Sequence, residues 1–539
     1  MLTITKTILA TCAIVTTFAL SGCAQNTNRS SGGPLTIAQI QEPRSLDPLF
    51  VDGYVSGELD GLVYSYLTTY GVGGNMLPQV ARVVPTVANG GISRDGRTLR
   101  FHLRHDVKWQ DGVALTSRDV VFSFHAIMNP KNATLSRYGY DQMASVVAKG
   151  RWEVDVTYKH RFAAGVSYFF GGDSNYPVMP AHLLDRYPSL NQVPFNGAPI
   201  GSGPYRVAEW QRGDHITFVA NDAYFLGKPK IPKIVLRFVP DNQTIVDQLH
   251  TGEVDLWFFA DVSHIAELRG LPGHHLVTTP TTEFQTVQFN TQSAIFSDGA
   301  VRRAFSMAID SASTTRKIYR GVYDPQHGLR GLFTWAYDPA IGPVPYDPAG
   351  ARALLQRDGW IAGPSGMRAK DGHPMEVTLL FTTGSPTLST LVAQIAAYER
   401  EVGIAVTLRG MSTALLTSPG GPLYRGTYQA AMFSLMSSAD PDASWLLSCD
   451  QRAPAGFNLT RFCDAAAQRA FAHGASTMNR ESRKDDYRIV QRRLSAVLPM
   501  DVLFLIYEMD VVPEALKGYT PSLYTSPYTF AYQWRLAAR

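Results

Sequence analysis

Lys233-Ile-Val-Leu-Arg-Phe238-Val-Pro-Asp241-Asn-Gln-Thr-Ile245-Val-Asp-Gln-Leu249-His-Thr-Gly252-Glu-Val254-Asp-Leu-Trp-Phe-Phe259 changes its hydrophobic period twice. Ile234, Val235, Leu236 and Phe238 form a short apolar run rich in β-branched and aromatic side chains, which predicts a strand. Asp241 then offers a carboxylate to the free N–H groups of a first helical turn. Ile245 and Leu249, four apart, fall on one helical face, and Gly252 is placed to end the helix. A second apolar run, 254–259, predicts another strand. Strand, helix and strand in this order join two parallel strands through a crossover, so the chain is of the mixed α/β class.

The same alternation continues C-terminally. Val301, Ala304, Phe305, Ala308 and Ile309 share one face of a predicted helix, with Ser297 or Asp298 as its cap. Asp347-Pro348 opens a second helix with a cap and a proline at the first position, and Gly359 closes it. Leu388, Leu391, Val392 and Ile395 line a third, which stops at Gly403 before a strand over 404–408. N-terminally, residues 99–103 alternate apolar and polar after the turn signal Asp95-Gly96, as a half-buried strand does.

The 539 residues suffice for two or more lobes, and 45% hydrophobic with 17% charged residues is an ordinary globular composition. A net charge of +4 without a run of like charges excludes a basic stripe and, with it, nucleic-acid binding. The first 23 residues differ from the rest. Lys6 gives a thin positive start, and 8–20 is apolar but too short to span a bilayer, as in a signal peptide. The stretch ends in Leu20-Ser21-Gly22-Cys23, which looks like a bacterial lipobox. Lipidation of Cys23 would anchor the mature chain to a membrane, and 24–34, rich in Ser, Asn and Gly, would be a flexible tether. Of the four cysteines, Cys12 lies in the signal and Cys23 in the lipobox. Cys449 and Cys463 remain, as a disulfide in an oxidising compartment or as two buried thiols.

Catalytic signatures are missing: no HExxH, CxxC, phosphate loop or GxSxG occurs. Gly71-Val-Gly73-Gly74 lacks the third glycine of a dinucleotide fingerprint, having Met76 there, and reads as a turn. His102 and His105, and His274-His275, have no carboxylate cluster in the sequence and read as surface residues rather than metal ligands. Asp440 and Asp442 flank Pro441, a pattern of turn chemistry more than of paired acid–base carboxylates. No enzyme activity, cofactor or metal is therefore expected.

Several segments in order resemble the peptide- and nickel-type ABC substrate-binding proteins, solute-binding protein family 5. Leu77-Pro78-Gln79-Val80-Ala81 is followed by Ser93-Arg94-Asp95-Gly96-Arg97-Thr98-Leu99-Arg100-Phe101-His102-Leu103-Arg104, Val107-Lys108-Trp109-Gln110-Asp111-Gly112 and Thr116-Ser117-Arg118-Asp119-Val120-Val121-Phe122-Ser123-Phe124. Gly201-Ser202-Gly203-Pro204-Tyr205, Glu209-Trp210 and Gly227-Lys228-Pro229 come next, then Gly252-Glu253-Val254-Asp255-Leu256. Phe289-Asn290-Thr291, Val301-Arg302-Arg303-Ala304-Phe305, Ala308-Ile309-Asp310, Tyr346-Asp347-Pro348 and Asp440-Pro441-Asp442 complete the series. The spacing of Cys449 and Cys463 is similar to that family's disulfide loop. The resemblance runs over nearly the whole chain after the tether, and the order and spacing of its segments make it specific.

It implies the two-lobe, three-domain periplasmic-binding-protein fold (type II), with a ligand cleft between the lobes. Lobe I would comprise 35–76, 200–285 and 505–539, with a small domain, 77–199, inserted; lobe II would be 286–504. The crossovers near 282–290 and 503–508 would form the hinge. The implied partners are a peptide or other small organic ligand and the permease of an ABC importer, with the chain an exported monomer held to a membrane by its lipid.

One departure bears on the ligand. In dipeptide and oligopeptide binders an Asp for the ligand's amino group stands where this chain has Ser437, and the Arg for its carboxylate stands near Thr382. A zwitterion enclosed without paired charges carries a large desolvation penalty. The expected cleft residues are Asp52, Gly53, Tyr54, Thr382, Thr383, Ser437, Ser438 and Trp445. A neutral or differently charged ligand (a metal complex, an opine or a sugar) and a non-transport interaction protein are the alternative readings.

Overall fold

The computed structural model describes residues 33–537, apart from 51–53, 135 and 175. The expected lipidation site Cys23, the signal and most of the tether lie outside the described residues.

Ten strands build the central sheet: β1 (Leu35–Gln39), β2 (Tyr205–Gln211), β3 (His215–Ala220), β4 (Lys233–Phe238), β5 (Leu256–Trp257), β6 (His274–Phe289), β7 (Glu376–Thr382), β8 (Ala405–Met411), β9 (Ala430–Met436) and β10 (Met500–Pro513). Their order across the sheet is β8-β7-β9-β6-β10-β5-β1-β4-β3-β2. The predicted βαβ unit is present. β4 and β5 both pair in parallel with β1, which lies between them, and helix Asn242–Thr251 makes the crossover. Asp241 caps that helix by accepting from Thr244 N–H at 2.7 Å, and Gly252 closes it in the left-handed conformation. The second strand is only two residues long, because Phe259 turns out at a positive φ of 57°.

β6, with 16 residues, and β10, with 14, are the two strands that join the halves of the sheet. The expected crossovers, 282–290 and 503–508, lie in or at the end of these two paired strands. Their antiparallel register slips between Pro280 and Phe284 and again between Gln285 and Thr286. The boundaries expected at 285/286 and 504/505 fall inside this pair. A bulge here bends the sheet and increases its twist. Strands Thr98–His102, Glu153–Tyr158 and Met143–Ala148 form a separate three-stranded sheet within the segment expected as an insertion. Arg100 ties it together, donating two 2.7 Å bonds to the Asp155 carboxylate on the neighbouring strand.

One core unites the β1 side of the large sheet with the inserted segment and the C-terminal Trp534; another runs along the sheet past helix Asn242–Thr251 to β7 and β9. The three predicted helices appear as Gly299–Ala308, Pro348–Arg357 and Pro386–Glu401, with Asp298, Asp347 and Ser385 as their caps.

Candidate ligand cleft

The glycines of Gly201-Ser202-Gly203-Pro204-Tyr205 are dictated by a helix end. A Cβ on Gly201 would stand 1.8 Å from the Val63 carbonyl oxygen, which accepts the Gly203 N–H at 2.8 Å. Only a bare backbone fits there. This contact seats helix Tyr54–Val63, whose Gly57, Glu58 and Asp60 form one wall of a cavity of about 860 Å³. Nearby, the expected turn Gly71-Val-Gly73-Gly74 links strands Thr68–Tyr70 and Met76–Pro78. A Cβ on Gly74 would lie 2.7 Å from the ring of Tyr524, which also lines the cavity.

Residues 136–173 contribute Ser136, Tyr138, Tyr140, Tyr168, Gly172 and Asp173. From beyond β9 come Ser437, Ser438 and Ala439, and then Trp445 and Phe457. The Trp445–Phe457 rings meet edge to face at 5.9 Å, and Tyr138–Tyr168 do so at 5.5 Å. Phe457 and Met436 are each 56% exposed and Tyr138 is 40% exposed, so a large aromatic and thioether surface stays uncovered within the cleft. The loop carrying Gln451 and Phe457 is closed by the disulfide Cys449–Cys463.

Asp173 joins the two sides. Its Oδ1 accepts the N–H groups of Ala439 at 2.9 Å and Asp440 at 3.3 Å, and Tyr70 donates to its Oδ2 at 2.6 Å. Burial, and then the charge of Asp440, push its carboxyl up to about 6. Asp440 itself is held by Arg483 through bonds of 2.6 and 2.8 Å. Asp440 also accepts Asp442 N–H, and Asp442 accepts Ser444 N–H, two successive Asx turns. These carboxylates thus do structural work, as the turn reading of Asp440-Pro441-Asp442 expected.

Ser437, Ser438 and Trp445 are brought together in the cavity lining. Ser438 Oγ donates to the Asp440 carbonyl at 2.9 Å, while Ser437 Oγ is buried with no hydrogen-bond partner among the described residues. Thr382 and Thr383 are not in this lining. Thr382 is the last residue of β7, opposite Met411, and Thr383 N–H donates to the Met411 carbonyl at 2.9 Å. Asp52 and Gly53 lie outside the described residues; Tyr54 opens the wall helix. Three of these four histidines have local partners: His102 meets Glu153 at 3.0 Å, His105 packs on Trp152, and His274 meets the Asp255 carbonyl at 3.0 Å.

Asp60, Asp173, Tyr138, Tyr168 and Tyr524 belong to the cleft and were not anticipated. Asp60 left a trace: it precedes Val63 and Tyr64 by three and four residues, so a carboxylate shares the helix's apolar face. The tyrosines left none, since isolated aromatics are as well explained by a core. The lining offers carboxylates, hydroxyls and rings, which can enclose and orient a solute.

Residues 82–454 match the family model for bacterial extracellular solute-binding proteins, family 5 Middle. The oligopeptide-binding protein AppA of Bacillus subtilis is 24% identical over 494 residues, covering 90% of this chain and 89% of that one. The nickel-binding periplasmic protein of Escherichia coli is 28% identical over 410 residues, 73% of this chain and 74% of its own. Among solved structures, NikZ from Campylobacter jejuni in complex with Ni(L-His) is similar with a TM-score of 0.77 at 24% identity, covering 93% of this chain and 99% of that one.

Proposed function

Since the chain belongs to the bacterial extracellular solute-binding proteins of family 5, we propose that it captures a peptide or similar small organic solute outside the cytoplasmic membrane and hands it to the permease of an ABC importer. The relatives named for oligopeptide and nickel binding support a transport role. The observation that carries the reading is the cavity of about 860 Å³, walled by helix Tyr54–Val63, the inserted segment and the chain beyond β9. That volume lies within the range of small-molecule sites. Asp173, which spans from the inserted segment to Ala439, is a contact that closure makes and opening breaks.

In this reading lobe I is 35–76, 200–285 and 505–539 with 77–199 inserted, lobe II is 286–504, and β6 and β10 flex between them. Closure upon the solute gives the permease a state it binds in preference to the open one, which is what coupling to transport requires. Cys23 carries the lipid that keeps the receptor at the membrane, and it works as a monomer. Among the described residues no helix is long and apolar enough to cross a membrane. A metal would arrive inside a chelate, because no group of three or more His, Cys, Asp or Glu that could hold one occurs among the described residues.

The test is calorimetry and small-angle scattering of the purified chain with a panel of peptides, opines, sugars and metal chelates. A solute that binds one to one and contracts the particle supports the receptor reading. Binding by none of them, with an unchanged scattering profile, would overturn it.

A further inference from the structure

We propose that the solute this cleft accepts is an organic cation, an ammonium or guanidinium on an apolar body, and not a zwitterion or an anion. The inference rests on the receptor reading and narrows its substrate class.

The carboxyl-bearing side chains in the described lining are Glu58, Asp60 and Asp173, and no Lys, Arg or His among the described residues lines the cavity. The Arg483 guanidinium, behind the loop that carries Ser437–Ala439, is committed to Asp440 and to the Gly474 carbonyl at 3.0 Å. Arg480 lies over the Trp335 ring at 4.3 Å, and it and Arg330 sit close enough to favour the Tyr524 phenolate, yet neither reaches the lining. A ligand carboxylate or phosphate would be desolvated among carboxylates with no cation to meet it.

Asp60 points to what is missing. It is 3% exposed, lines the cavity, and its Oδ2 has no hydrogen-bond partner among the described residues. Burial, with the charge of Asp47 added, pushes its carboxyl well above the usual carboxylate range. Buried polar atoms are normally paired, and an ammonium or guanidinium supplies both the donor and the charge. The uncovered rings of Tyr138 and Phe457, with Tyr168 and Trp445 beside them, present π faces that attract a cation and cover its apolar body.

The probes are a size-matched series measured by calorimetry at neutral pH: phenylalanyl-arginine amide, zwitterionic phenylalanyl-leucine, neutral N-acetyl-phenylalanyl-leucine amide and anionic N-acetyl-phenylalanyl-glutamate, within a panel of non-peptide solutes of each charge. Binding concentrated among the cations is expected. Asp60→Asn should weaken the best cation by about 30-fold or more. Tyr138→Leu, at a position 40% exposed, should weaken it about 2- to 5-fold, with Tyr138→Phe restoring it. Tight binding confined to zwitterions, anions or neutral solutes overturns the charge inference and leaves the receptor standing. So does a cation affinity that neither Asp60→Asn nor Tyr138→Leu lowers. No binding in any charge class overturns both.

Discussion

Replacing Asp440 by Asn keeps the size of the side chain in the loop that carries Ser437–Ala439 into the cleft, but removes its charge and one of the two oxygens that accept from Arg483. Asn retains an oxygen for the Asp442 N–H, so the Asx turn survives. Arg483 is left 8% exposed, opposite a neutral amide in place of a carboxylate that was 6% exposed. At the effective dielectric of buried sites, about 20, a pair of unit charges about 4 Å apart is worth about 4 kcal/mol. Removing one partner of a buried pair typically costs 3–5 kcal/mol, mostly from the charge left unpaired. Asp442, close by and also buried, offers partial compensation, as do the Tyr487 hydroxyl at 3.1 Å and the Trp335 face. The expected loss is therefore about 3 kcal/mol, read from equilibrium unfolding in urea by tryptophan fluorescence. Adding Arg483→Met should recover most of it, because the unpaired charge goes with the side chain. A loss under about 1 kcal/mol, or a double variant no more stable than the single, would refute the reasoning.

Three further perturbations have defined outcomes. Cys23→Ser should leave a soluble exported protein, checked by fractionation; unchanged membrane retention would remove the lipid anchor. Replacing Cys449 and Cys463 by Ser should lower stability by about 2–4 kcal/mol for a loop closed over 14 residues, and two free thiols in unreduced protein would refute the bond. Burial raises the carboxyls of Asp47 and Asp501 from 3.8 to about 7, so their protonated forms favour the folded chain. That stability is fully present below 3.8 and lost as pH rises to about 7, on the order of 4 kcal/mol for each. Asp501→Asn should flatten the slope of stability over that interval, and an unaltered slope would show that Asp501 ionises freely in the folded state.

The fold was legible where local chemistry and global architecture agree. Asp241, Ile245, Leu249 and Gly252 specify a capped helix by themselves, and that helix behaves as written because its apolar face meets the sheet. The strands that join the halves of the sheet were harder. Residues 282–290 and 503–508 mark where the chain passes between halves, but nothing local says that the two passages pair with each other across more than 200 residues of sequence. That pairing is set by β10 slotting between β5 and β6, a contact of high sequence separation. The length of the second βαβ strand failed for a related reason: Val254-Asp-Leu-Trp-Phe-Phe259 reads as a strand throughout, and the turn at Phe259 comes from its tertiary surroundings.

The cleft divides along the same line. Ser437, Ser438 and Trp445 were placed by a series of segments in fixed order, and they line the cavity. Thr382 came from counting back across a helix and a turn, where insertions in the turn are tolerated, and it ends β7 opposite Met411, outside the described cavity lining. Asp60, Asp173 and the tyrosines had no such frame. What makes Asp60 informative is the absence of a hydrogen-bonding partner among the described residues, a property of the folded interior that no spacing rule reports. The Ser at 437 shows in the sequence, whereas the wall of Glu58, Asp60 and Asp173, with no arginine among the described lining residues, exists only once helix Tyr54–Val63, residues 136–176 and the chain beyond β9 are folded around one space.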